Sequence, residues 1–92
     1  MYSLKTTKTF DKQFKKLDKS VQRTIISWIK KHLMNCENPR TFGKGLTYNS
    51  SGYWRYRIGN YRLICEIEDE ELIIIAVSIA HRSTIYKEDN QC

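Results

Sequence analysis

An α+β fold, a small antiparallel β-sheet packed on an N-terminal αα-hairpin, follows from three features of this chain. Apolar residues recur at helical spacing between Phe10 and Leu33. They recur at strand spacing between Tyr53 and Ala80, and the two periods meet once, at a loop containing Asn38-Pro39, Gly43 and Gly45. A single change of period over 92 residues bounds one domain, residues 1–92, near the lower limit at which one core suffices.

Each element has its own signal. Tyr2 and Leu4 alternate with Ser3 and Lys5, which suits a short edge strand. Phe10, Phe14 and Leu17 fall at i, i+4 and i+7 and give one face of a helix, with Thr7 or Thr9 available as its cap. Asp18 starts a second helix, in which Val21, Ile25, Trp28, Ile29, His32 and Leu33 form the apolar stripe. That helix ends near Asn35. A strand over Tyr53 to Ile58, a Gly59-Asn60 turn and a strand from Tyr61 to about Glu68 make a hairpin. The acidic run Glu68 to Glu71 turns the chain into a last strand, Leu72 to Ala80.

Alternation assigns faces. Trp54, Tyr56 and Ile58, with Leu63, Cys65 and Ile67, are expected to face the helices. In the last strand the large Ile73, Ile75, Val77 and Ile79 are expected on that same side. The small Ala76, Ser78 and Ala80 then floor an open surface, and a bulge near Gly59 is where this assignment is exposed to reversal. On the open side the alternation puts Arg55, Arg57, Arg62 and Arg82.

Composition narrows the partners. Sixteen Lys and Arg against ten Asp and Glu leave +6, which favours polyanions or an acidic protein. The N-terminus lacks the apolar core of a signal peptide, and no apolar run approaches the roughly 18 residues of a membrane helix. A cytoplasmic protein with no membrane partner is expected. Cys36, Cys65 and Cys92 form no CxxC pair, and His32 and His81 lie far apart, so no metal and no cofactor is expected. Cys65 reads as a buried thiol, and His32 as a structural residue of the helix face.

Chemistry concentrates in Tyr53 to Arg62, YWRYRIGNYR, and in the later His81-Arg82 and Tyr86. Guanidinium groups bind phosphate bidentately and keep their charge at any working pH. Arg55 and Arg57 lie roughly 6–7 Å apart on one strand face, close to a nucleic-acid phosphate repeat. Lys44 joins Arg55 and Arg57 as an RNA-binding candidate. The bland alternatives are cross-strand pairing of Arg55 and Arg57 with Glu66 and Glu68, an Arg62 pair with Glu66 or Glu71, a hydrogen-bonding role for His81, and an edge-covering one for Tyr86.

The order β-α-α-β-β-β, the Gly59-x-Tyr61-Arg62 hairpin and the His81-Arg82-x3-Tyr86 ending resemble the RelE/ParE toxin superfamily, over nearly the whole chain from Tyr2 to about Lys87. The resemblance to the RelE-type branch implies a ribosome-dependent messenger-RNA endoribonuclease, silenced by a cognate antitoxin and working without metal. It places catalytic or charge-stabilising roles on Arg57, Arg62, Arg82 and Tyr86, with Arg55 on the RNA backbone. His81 is a further catalytic candidate, because some relatives use a C-terminal histidine. The strand pair is often lysine in that branch and is arginine here. Arginine does not serve as a base, so the identity of the proton acceptor stays open. The ParE-like branch, a DNA gyrase poison without RNA cleavage, and a catalytically inactive RNA-binding relative are the alternatives. The basic helix face from Lys12 to Lys31 reads either as a solvated surface or as a contact for ribosomal RNA.

Overall fold

The computed structural model describes residues 1–45 and 53–83. The chain runs β1 (Ser3–Thr6), α1 (Lys8–Lys15), α2 (Lys19–His32), a 3-10 turn (Pro39–Thr41), β2 (Lys44–Gly45), β3 (Tyr53–Ile58), β4 (Tyr61–Glu68) and β5 (Ile73–His81). The α+β class and the helix-pair-then-strands order match the sequence expectation. Two details extend it. The sheet order is β1-β5-β4-β3-β2, and β1 lies parallel to β5 while the other pairs are antiparallel. Between these parallel neighbours the chain passes through the helix pair and then the antiparallel strands β2, β3 and β4.

Local chemistry sets the boundaries. Thr7 caps α1, its hydroxyl accepting from the Phe10 N–H at 3.1 Å. Asp18 holds the cap position of α2 without a side-chain cap bond. Gln22 closes the other side of the junction, its amide donating to the carbonyls of Phe14 and Leu17 at the end of α1. Asn35 takes a φ of 60°, in the left-handed region that asparagine tolerates, just beyond the end of α2. Gly59 turns β3 into β4 at φ 58°.

One face of the sheet carries the core. Phe10, Ile25, Ile29 and Leu33 from the helices pack on Tyr56, Ile58, Leu63, Cys65, Ile67, Ile74, Ala76 and Ile79. The hairpin residues thus face as alternation indicates, with Trp54 packed at the margin of the core and burial pushing the Cys65 thiol up to about 12. The first half of β5 is the correction: Ile74 and Ala76 are buried against the helices, and Ile73 and Ile75 are half-buried on the other face. The cause is a bulge in β5, not one near Gly59. Leu63 pairs with Ile79 and Ile64 with Ser78, but Cys65 pairs with Ala76, so Val77 is extra. The parity read from Ile79 holds after the bulge and reverses before it.

Candidate nucleic-acid interface

Two rows of side chains on the face away from the helices make the site. In one row, Arg57 on β3 lies opposite Arg62 on β4, and Arg62 lies opposite Ala80 on β5. In the next, Lys44 on β2 lies opposite Arg55, Arg55 opposite Ile64, and Ile64 opposite Ser78. Directly opposed residues have Cβ atoms about 5 Å apart, and the rows lie about 7 Å apart along the strands. Ala80 and Ser78 are small, which leaves the arginine stems a shallow floor. At the other end Ile73 and Ile75 fill the same face.

Arg82 follows the last residue of β5. Its backbone N–H donates to the Asn60 carbonyl at 2.7 Å, which clips the end of β5 to the β3–β4 turn. Its charge reaches Arg62: burial holds the Arg62 pKa below the usual arginine value, and Arg57, Arg55 and Arg82 lower it further. Arg62 therefore stands within the field of three further guanidinium groups.

Arg62 is the centre of the cluster. Its side chain is half-buried, and its Nη1 atom is closed off from solvent with no hydrogen-bond partner among the described residues. A buried, charged donor left unpaired costs on the order of 1–3 kcal/mol or more. The bland pairings do not form. Across from Arg55 and Arg57 stand Ile64 and Arg62, and Glu66 faces Tyr53. Among the described residues, the ion pair present joins Arg40 to Asp69 at 2.8 Å, away from this face.

The remaining candidates separate. Lys44 is exposed and lies directly beside Arg55. His81 does not join the arginines. It pairs with Tyr61 in the register and so projects to the helix side, its ring standing edge-on to Tyr61 at 5.3 Å. Its Nδ1 accepts the Ser83 N–H at 3.2 Å and lies 2.9 Å from the Ser83 hydroxyl. Strand alternation, which continues through residue 81, is the physical reason that this histidine stands on the face opposite Arg62. Tyr86 lies outside the described residues. His32 is held between Trp28 and Phe42, ring centroids 4.7 and 4.6 Å away, in the structural role expected of it.

Two long-range ties in the fold carried no signal in the sequence. Asp69 accepts a bidentate pair from Arg40 and a hydrogen bond from the Tyr2 hydroxyl, tying the N-terminus and the 3-10 turn to the β4–β5 turn. Thr7 and Gln13 meet the backbone of β5 at its bulge, Thr7 reaching the Ala76 and Val77 carbonyls and Gln13 accepting the Ile79 N–H at 2.8 Å. Both span more than 25 residues, beyond the reach of local patterns.

Comparison with known proteins places this geometry. Residues 4–86 match the profile of the family described as the ParE toxin of the type II toxin–antitoxin system parDE. Toxin RelG of Mycobacterium tuberculosis is 27% identical over 86 residues, covering 94% of this chain and 97% of that protein. Among solved structures, the toxin–antitoxin complex RelBE2 of the same organism superposes with a TM-score of 0.79 at 26% identity, over 88% of this chain and 91% of the other. The isolated RelE toxin of E. coli shares the fold, with a TM-score of 0.72 at 22% identity over 99% and 97% of the two chains. A profile matched across nearly all of the sequence, on a sheet of this order, makes the chain a member of the RelE/ParE superfamily of type II toxin–antitoxin toxins.

Proposed function

We propose that this toxin is a messenger-RNA endoribonuclease of the RelE type that acts on the ribosome, with the arginine face as the seat of the scissile phosphate. The observation that carries this reading is the buried Nη1 of Arg62, which has no hydrogen-bond partner among the described residues, inside a group of four arginines. Folding alone disfavours such a cluster; a bound dianionic transition state relieves it. In the reaction, the 2′-hydroxyl gives up its proton as its oxygen attacks the adjacent phosphorus, the P–O5′ bond breaks, and the leaving 5′-oxygen takes up a proton, so that a 2′,3′-cyclic phosphate and a 5′-hydroxyl remain. Arg57, Arg62 and Arg82 neutralise the pentacoordinate phosphorane, while Arg55 and Lys44 hold the neighbouring phosphate. Tyr86 is assigned to stacking on a base or orienting the attacking hydroxyl.

In the described part of this face, the two rows around Arg62 carry guanidinium and ammonium groups, and the carboxylates, Glu66 and Glu68, stand farther along β4 beside Ile75 and Ile73. A site completed by a second body, the ribosome with its bound message, fits that composition. A cognate antitoxin is the second partner, as in the toxin–antitoxin complexes among the solved relatives. An acidic docking segment would neutralise the same arginines.

A second reading, a ParE-like gyrase poison, is favoured by the description of the matching family. Pulse labelling after induced expression separates the two. Under the proposal, protein synthesis stops first, primer extension finds new transcript ends, and Arg62→Ala abolishes both effects. Arrest of DNA synthesis first, with intact transcripts, would overturn it in favour of gyrase.

A further inference from the structure

The bulge in β5 does more than disturb the ladder, because it decides on which side of the sheet the last strand delivers Arg82. Ile74 and Ala76 face the helices. Uninterrupted alternation from them would send Ser78, Ala80 and Arg82 to the helix side as well. The extra Val77 resets the parity, so Ile79 is buried, while Ala80 stands beside Arg62 on the open face.

What holds the bulge comes from outside the sheet. β1 covers the outer edge of β5 only as far as the Thr6–Ala76 pair. Beyond it, the exposed edge groups of β5 need other partners. The Ala76 carbonyl accepts from the Thr7 N–H at 3.1 Å, and the Thr7 hydroxyl lies 3.2 Å from that oxygen and 3.0 Å from the Val77 carbonyl. Two successive carbonyls reached by one residue are what a bulge presents and a regular strand does not. Two residues on, the Ile79 N–H donates to Gln13 Oε1 at 2.8 Å. Thr7 is also the cap of α1 and Gln13 lies within that helix, so one rigid element grips both sides of Val77 and Ser78.

We propose that Thr7 and Gln13 are positioning residues for the arginine face: together they hold the β5 bulge that turns Arg82 to Arg62's side of the sheet. The inference rests on the reading of that face as a phosphate-binding surface. Neither residue touches the ligand; both act through the backbone of β5.

A double-mutant cycle tests it, with binding of a short fluorescent 2′-O-methyl RNA, which cannot be cleaved, measured by anisotropy. Arg82→Ala is expected to weaken binding roughly tenfold, as for loss of one charge-assisted hydrogen bond. Gln13→Leu keeps the volume and removes the acceptor, and is expected to lose roughly three- to tenfold. The double variant is expected to bind no more weakly than Arg82→Ala alone, whereas Gln13→Leu and Arg55→Ala add. Gln13→Glu, which still accepts from the Ile79 N–H, restores wild-type binding, a rescue that general loosening of the helix does not give. Thr7→Val against Thr7→Ser supplies the same comparison if Gln13→Leu fails to fold. Wild-type affinity in folded Gln13→Leu, or full additivity with Arg82→Ala, would overturn the positioning role. Wild-type affinity in Arg82→Ala would instead overturn the phosphate reading beneath it.

Discussion

At the scale of single residues, two arginines show opposite uses of the same group. Arg40 is satisfied: it grips Asp69 with both terminal nitrogens and lies 5.9 Å from the Trp54 ring centre. Arg62 is not, among the described residues, and it feels three like charges. Replacing Arg62 with Met removes the buried unpaired donor, so it is expected to raise the unfolding free energy by about 1 kcal/mol in a denaturant titration. The same change is expected to abolish toxicity, since one charge-stabilising donor is worth roughly 10²–10³ in rate. Asp69 gives a pH prediction. Arg40 and Tyr2 hold its carboxyl down at about 2, against an unfolded value near 3.8. Its contribution to stability is therefore full above about pH 4 and is lost as pH falls toward 2. Asp69→Asn is expected to flatten the acid limb of the stability curve in that window, followed by circular dichroism. The arginines were legible from residue type and spacing. The Asp69 network was not, because its partners sit 29 and 67 residues away and the acidic run around it reads as an ordinary solvated turn.

Elements carry the geometry. The hairpin was readable because Arg55, Arg57 and Arg62 alternate with Tyr56, Ile58 and Leu63, leaving one consistent way to face the core. β5 offered no such constraint: Ile73, Ile74 and Ile75 are all large and apolar, so alternation fixes no parity there. Only packing against Thr7 and Gln13 settles it. The short strand β2 depends on Gly43, at φ 82°, where an added Cβ would fall 2.3 Å from the Arg55 carbonyl and 2.7 Å from the Trp54 indole nitrogen. That nitrogen donates to the Phe42 carbonyl at 2.6 Å. Gly43→Ala is thus expected to detach β2 from β3, moving Lys44 away from Arg55. Faster amide hydrogen exchange confined to residues 44–45 and the outer edge of β3 would register it, with loss of RNA affinity of roughly tenfold or less.

For the whole molecule, the sheet's two faces divide the labour. The helix side buries Leu33, Ile29, Tyr56, Leu63 and Ile74, and Leu33→Ala is expected to lower stability by about 2–5 kcal/mol in thermal or denaturant unfolding. Nine of the sixteen lysines and arginines lie between Lys5 and Lys31, with two of the ten carboxylates, so the helix layer is strongly basic as well. The class and element order were legible because helical and strand periods occupy separate halves of the chain. The parallel placement of β1 was not, since a four-residue strand has no pattern that names its neighbour. The most direct measurement is nitrogen-detected NMR of the arginine side chains during titration with an uncleavable dinucleotide. The account predicts that Arg55, Arg57, Arg62 and Arg82 shift together along one saturation curve, with Arg62 moving furthest. A silent Arg62, with shifts confined to Arg23 and Arg40, would contradict it.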